Sequence, residues 1–162
     1  MLNQFDLLFY KGDGLISRIV RRLSGSKYSH VSVYLGNGRV VEIDWKYKLS
    51  IKDCEYNDSN VDVYRYKRDI DGYQKYFMFK FLYNSINTKY DFIEVLDLLI
   101  YKFLGIKLRD DCDKYICSSW VNCLFKEGEI TLCEDELLFP DDLISNKLIP
   151  ISVTKEDFYF AK

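Results

Sequence analysis

Tyr28-Ser29-His30-Val31-Ser32-Val33-Tyr34-Leu35-Gly36-Asn37-Gly38-Arg39-Val40-Val41-Glu42 carries two alternating apolar runs on either side of three turn-forming residues, the strongest hairpin signal in the chain. Its register follows from parity, because a slip of one residue moves every side chain to the other face. A two-residue Asn37-Gly38 turn would set Val33 against Glu42, Val31 against Asp44 and Ser32 against Ile43, which mixes valines with carboxylates. A three-residue loop with Gly38 in the left-handed conformation instead pairs Val31 with Ile43 and Val33 with Val41, and leaves Ser32 facing Glu42 and His30 facing Asp44. Each face then has one chemistry. In that register His30 and Glu42 are diagonal neighbours on one face, within reach of each other.

Outward from the hairpin, Phe5 to Tyr10 reads as a short apolar strand, and Asp13-Gly14 opens a helix that turns Leu15, Ile16, Ile19, Val20 and Leu23 inward before Gly25 stops it. Arg18, Arg21 and Arg22 share the opposite face, which reads as solvated and would otherwise suit an anionic substrate or a membrane surface. Residues 46–60 read as a polar connection, and Val61 to Tyr66 as a strand with Val61 and Val63 on one side. Helical spacing follows in Gly72 to Asn84 and in Asp91 to Leu104, the latter with Asp91 as N-cap and Gly105 as stop. The stripe Tyr76, Phe79 and Tyr83 is expected to serve packing rather than a cofactor. A third helix is expected from Asp113 to Lys126, capped by Asp113 and ended by Gly128.

Composition bounds what such a chain can do. At 162 residues, 48% hydrophobic and 17% aromatic, one domain spanning 1–162 has a full core without staples. A net charge of −2 offers no basic field for phosphates, so nucleic acid is not an expected partner. Met1 to Asp6 lacks the basic start and apolar run of a secretory signal, and no apolar stretch is long enough for a bilayer. The expectation is a cytoplasmic chain, unexported or released by a non-classical route. Five cysteines with no CxxC pair argue for reduced thiols rather than a disulfide framework or a zinc ribbon. Zinc held by Cys112, Cys117 and His30 is the metal alternative, and the expected cofactor content is none.

Cys117 falls about one turn inside the third helix, with Trp120, Val121 and Leu124 at i+3, i+4 and i+7, so its thiol belongs to the buried face. A small core hydrophobe is the plain alternative. Near a helix N-terminus, free N–H groups and the dipole stabilise a thiolate, although Asp110, Asp111 and Asp113 crowd the same end and oppose it. An imidazole alongside would take the proton, and a carboxylate on its other nitrogen would orient it. His30 is the one histidine in the chain.

The run Tyr28 to Glu42 resembles the histidine strand and following hairpin of the NlpC-type papain-like cysteine hydrolases. Thr88-Lys89-Tyr90-Asp91 and Tyr115-Ile116-Cys117-Ser118 resemble their nucleophile half. Histidine precedes cysteine here, as in the circularly permuted, YiiX-like branch, and Phe139-Pro140-Asp141-Asp142-Leu143 resembles the end of that branch. The resemblance, from Asp6 to about Leu143, implies an α+β, papain-like fold in circularly permuted order, with a small antiparallel sheet packed against helices. It implies Cys117 as nucleophile, His30 as base and Glu42 as the orienting third group, with Asp44 in reserve and Tyr115 and Ser118 as oxyanion or substrate contacts. The implied activity is that of a cysteine peptidase or amidase working through an acyl-enzyme on a cell-wall-type peptide or a lipid-linked acyl amide, without metal or organic cofactor. A thiol acyltransferase or lipid hydrolase at a membrane surface, and a catalytically dead binding module, are the alternatives. Ser119-Trp120 departs from the branch, which often has an acidic residue and a leucine there, and this bears on substrate choice.

Overall fold

A computed structural model describes residues 1–12, 17, 18, 21, 22, 25–43, 48–54, 60–89, 91, 100, 101, 104, 105, 115–135 and 138–159. The expected helix start at Asp13-Gly14, Asp44, and the segment holding Asp110, Asp111, Cys112 and Asp113 lie outside the described residues. Within them the chain is α+β, with six strands in one antiparallel sheet and three helices. The strands are β1 (Leu7–Tyr10), β2 (His30–Gly36), β3 (Arg39–Glu42), β4 (Ser50–Asp53), β5 (Val61–Tyr66) and β6 (Leu148–Ile151). The helices are α1 (Gly72–Ser85), α2 (Cys117–Glu127) and α3 (Lys155–Tyr159), with a 3-10 turn at Pro140–Leu143. Sheet order is β4-β3-β2-β1-β5-β6.

The hairpin takes the register that parity requires, with Val33 opposite Val41 and Tyr34 opposite Val40. Its connection differs from the expected three-residue loop. Gly36 pairs with Arg39 around a two-residue turn whose residues both have positive φ, Asn37 at 52° and Gly38 at 68°, and the register shifts between Tyr34 and Gly36. The mirror-image turn matches the strand twist, and a bulge at Leu35 supplies the extra residue that restores the pairing of like with like.

The stretch read as a polar connection contains a strand. Ser50–Asp53 pairs with β3 as an edge, placing Ser50 opposite Glu42 and Lys52 opposite Val40. A short edge strand with charged residues is a common guard against further pairing, and its single aliphatic, Ile51, gives no alternation to read. Pro150 is tolerated in β6 because that strand is the other edge.

Alternation gives the sheet two buried faces. On one, Leu7, Phe9, Val31, Val33, Val41 and Ile43 pack with Met78, Leu82, Trp120, Val121, Leu124 and Phe125 from α1 and α2. On the other, Leu8, Tyr34, Val40, Val61 and Val63 pack with Leu2, Cys54 and Phe158. Val61 and Val63 thus share a face, as their spacing indicates.

Asp71 and Gln74 close a capping box on α1: the Gln74 N–H donates to Asp71 Oδ1 at 2.8 Å and the Asp71 N–H to Gln74 Oε1 at 3.1 Å. Met78 and Leu82 form the inward face; of the Tyr76, Phe79 and Tyr83 stripe, Phe79 packs on the core ring of Phe5, centroids 5.0 Å apart, whereas Tyr76 and Tyr83 are 62% and 80% exposed. Aromatic residues occur on both faces of α1, which removes the contrast that periodicity needs.

The helix that carries Cys117 begins later than expected. Ile116 is the N-cap and Cys117 the first helical residue, rather than a residue one turn inside a helix capped by Asp113. Tyr115 is held extended, its carbonyl accepting the Asp91 N–H at 3.1 Å, and the Ile116 N–H donates to Ser119 Oγ at 3.1 Å. At the far end Gly128 follows the last turn, as expected. A Cβ there would lie 2.8 Å from Met78 Cγ, so the glycine lets α1 and α2 approach.

Candidate active site

His30 is the first residue of β2, and α2 packs on that strand. Its Nε2 lies 2.9 Å from Glu42 Oε2, across the diagonal that the hairpin register creates. The Cys117 thiol interacts with the same ring by charge and by hydrogen bond. The three residues named from sequence therefore meet, although His30 and Cys117 are far apart in the chain. Cys117 is 5% exposed, while the His30 and Glu42 side chains are 23% and 16% exposed, so the cluster is shielded without being sealed.

The electrostatics follow from this arrangement. Burial works against a charged imidazole, but the charge and hydrogen bond of Cys117, then those of Glu42, outweigh it and raise His30 from 6.5 to about 10. Burial would likewise raise the Glu42 carboxyl. Its bond to His30, followed by its bond to Lys52, brings it from 4.5 down to about 2. Lys52 Nζ donates to Glu42 Oε1 at 2.8 Å, so each oxygen of the carboxylate has its own cationic or donor partner.

The remaining expected site residues divide. Ser118 is fully buried and its hydroxyl donates to the Leu138 carbonyl, tying the first turn of α2 to the segment before Pro140 instead of facing a substrate. Tyr115 is half-buried with its ring edge-on to Phe81, centroids 6.1 Å apart. The two residues that depart from the branch are structural here: Ser119 caps α2, and Trp120, 1% exposed, stacks on Phe81. Asp44, the reserve third member, is outside the described residues. Arg18 and Arg22 are exposed and Arg21 is half-buried.

Sequence reading missed several residues that hold the site. Lys52 escaped because its strand was read as a connection. Asp141 accepts from the Ser26 hydroxyl, from the Lys27 N–H at 2.7 Å and from the Tyr28 N–H at 3.0 Å, fixing the segment that enters β2 just before His30. Its signal was the Phe139-to-Leu143 motif, which carried no role. Asp62 binds Lys11, Lys27 and the Tyr28 hydroxyl on the same approach. Tyr10, directly across from His30, stands 5.6 Å from the imidazole and shares a 3.0 Å hydrogen bond with Ser32.

Among the described residues no group of three or more His, Cys, Asp or Glu side chains is placed to hold a metal ion, and Cys112 of the zinc alternative lies outside them. Among the same residues no helix is long and apolar enough to cross a membrane. No protein-family model matches the sequence, and no curated protein matches it. Among solved structures the chain is similar to the metalloprotein YiiX from Escherichia coli O157:H7, DUF1105, with 15% identity over 93% of this chain and 96% of that chain and a TM-score of 0.47.

Proposed function

We propose that the chain is a cysteine hydrolase of the papain-like type in circularly permuted, histidine-first order, cleaving an amide through Cys117, His30 and Glu42. The observation that carries this reading is that one imidazole serves two partners: a carboxylate oxygen 2.9 Å from Nε2 and the thiol of Cys117, the first residue of a helix. A structural histidine needs neither the thiol nor its position at the free N–H groups of a helix.

In this mechanism Cys117 gives its proton to His30 and its sulfur attacks the substrate carbonyl carbon. The oxygen that becomes negative is received by the Cys117 N–H, which as the first of α2 has no acceptor within the helix. The intermediate collapses, the C–N bond breaks, and the imidazolium passes its proton to the departing amine. A water deprotonated by His30 then attacks the thioester, releasing the acid and returning the sulfur to the imidazolium. Glu42 keeps the ring in place through both steps. A cell-wall-type peptide and a lipid-linked acyl amide both contain the bond this chemistry cleaves.

Iodoacetamide, small enough for a shielded thiol, tests this with peptide mapping between pH 5 and 9. Cys117 should react at least about tenfold faster than Cys54, Cys123 and Cys133, and His30→Ala should remove that advantage. A Cys117 rate equal to those of the other cysteines, or one that His30→Ala leaves in place, contradicts the proposal.

A further inference from the structure

Glu42 has a second partner that no account of a cysteine-histidine-carboxylate triad requires. Lys52 comes from the edge strand β4, one diagonal step along the sheet, and donates to Glu42 Oε1 at 2.8 Å while His30 occupies Oε2. The Lys52 side chain is 35% exposed and that of Glu42 16%, so the pair sits where solvent screens it only in part. From these positions we propose that Lys52 is a positioning residue for the reaction: it fixes the rotation of the Glu42 carboxylate and balances its charge, so that the imidazole is oriented by an ionised Glu42 down into the acid range. The inference rests on the cysteine-histidine-glutamate reading above.

Two physical effects act in one direction. A carboxylate with one partner can swing about its terminal torsion, which is broad, and a second bond removes that freedom. The ammonium also stabilises the ionised carboxylate, and burial alone would favour the neutral acid. Among the described residues, the titratable groups facing this cluster are Cys117 from α2, Tyr10 from β1, His30 from β2 and Lys52 from β4. Lys52 supplies the ammonium of the set. Removing it makes protonation of Glu42 easier, so the imidazole loses its ionised partner, and reactivity falls, at a higher pH on acidification.

The test is the pH profile of Cys117 alkylation by iodoacetamide in wild type, Lys52→Met, Lys52→Arg and His30→Ala, each also made with Glu42→Gln. Lys52→Met should move the acid limb up by about half to one pH unit and lower the plateau by about three- to tenfold. Lys52→Arg should restore both to within about twofold. In the Glu42→Gln background Lys52→Met should change neither. An unmoved acid limb, or an equal loss with and without Glu42, overturns the role of Lys52 and leaves the triad standing. Wild-type alkylation that does not depend on His30 overturns both. Matching thermal melts of Lys52→Met and wild type separate these outcomes from misfolding.

Discussion

His30→Ala should slow acylation of Cys117 by a vinyl-sulfone or activated-acyl probe by about 10²- to 10⁴-fold, the range over which a positioned acid–base group contributes. No other histidine exists to substitute for it. The fold should survive the change, because Lys52 remains on Glu42 and the carboxylate is not left buried and alone. Cys117→Ala, which abolishes labelling at that site, supplies the zero of the scale, and Glu42→Gln should fall between wild type and His30→Ala. If His30→Ala reacts within about threefold of wild type, the imidazole does not activate the sulfur and the enzymatic reading fails.

Arg65→Met should lower the unfolding free energy by about 2–4 kcal/mol in a denaturant melt. Asp6 is 1% exposed and takes two bonds from the Arg65 guanidinium, Nε to Oδ1 and Nη2 to Oδ2, each 2.7 Å. The same carboxylate accepts the Asn3 N–H at 2.7 Å, so it joins the residues entering β1 to β5. Methionine keeps the apolar stem of arginine and removes the guanidinium with its bonds to Asp6 and to the Met1 carbonyl, which leaves Asp6 desolvated without its cation. The estimate sits below that for a fully buried pair because the Arg65 side chain is 28% exposed. Recovery of at least half the loss in Asp6→Leu/Arg65→Met would assign the cost to the stranded charge; no recovery would assign it to lost packing.

The site also imposes a pH window on stability. His30 binds its proton more tightly folded than unfolded, so its contribution is complete below pH 6.5 and disappears as pH rises towards about 10. Glu42 does the reverse: its contribution is complete above pH 4.5 and is lost as pH falls towards about 2. The two windows overlap between pH 4.5 and 6.5, where both groups support the folded state.

Much of the site was legible because strand parity is strict. Once Val33 must face Val41, the diagonal from His30 to Glu42 follows without further information, and a bulge at Leu35 in place of a longer loop leaves that result unchanged. The pairing of Cys117 with His30 is different. No local rule joins residues so distant, and only resemblance suggested it. The start of α2 was misplaced because Asp113 is a good capping residue, while the actual boundary depends on a tertiary contact, the bond between Asp91 and Tyr115. Lys52 was illegible for a related reason: a short polar edge strand is defined by its neighbour β3, and its own residues do not announce it. The outward aromatics of α1 show the converse, since Tyr and Phe on two faces are equally consistent with either face being buried.

Because the chain has one histidine, the Cε1–H resonance of His30 can be followed in a pH titration without assignment ambiguity. In wild type its midpoint should lie far above 6.5, towards 10, and in Cys117→Ala it should drop by at least about one unit as the sulfur's charge and hydrogen bond are removed. A wild-type midpoint near 6.5, or one that Cys117→Ala leaves in place, would show that this imidazole and this thiol do not share a proton.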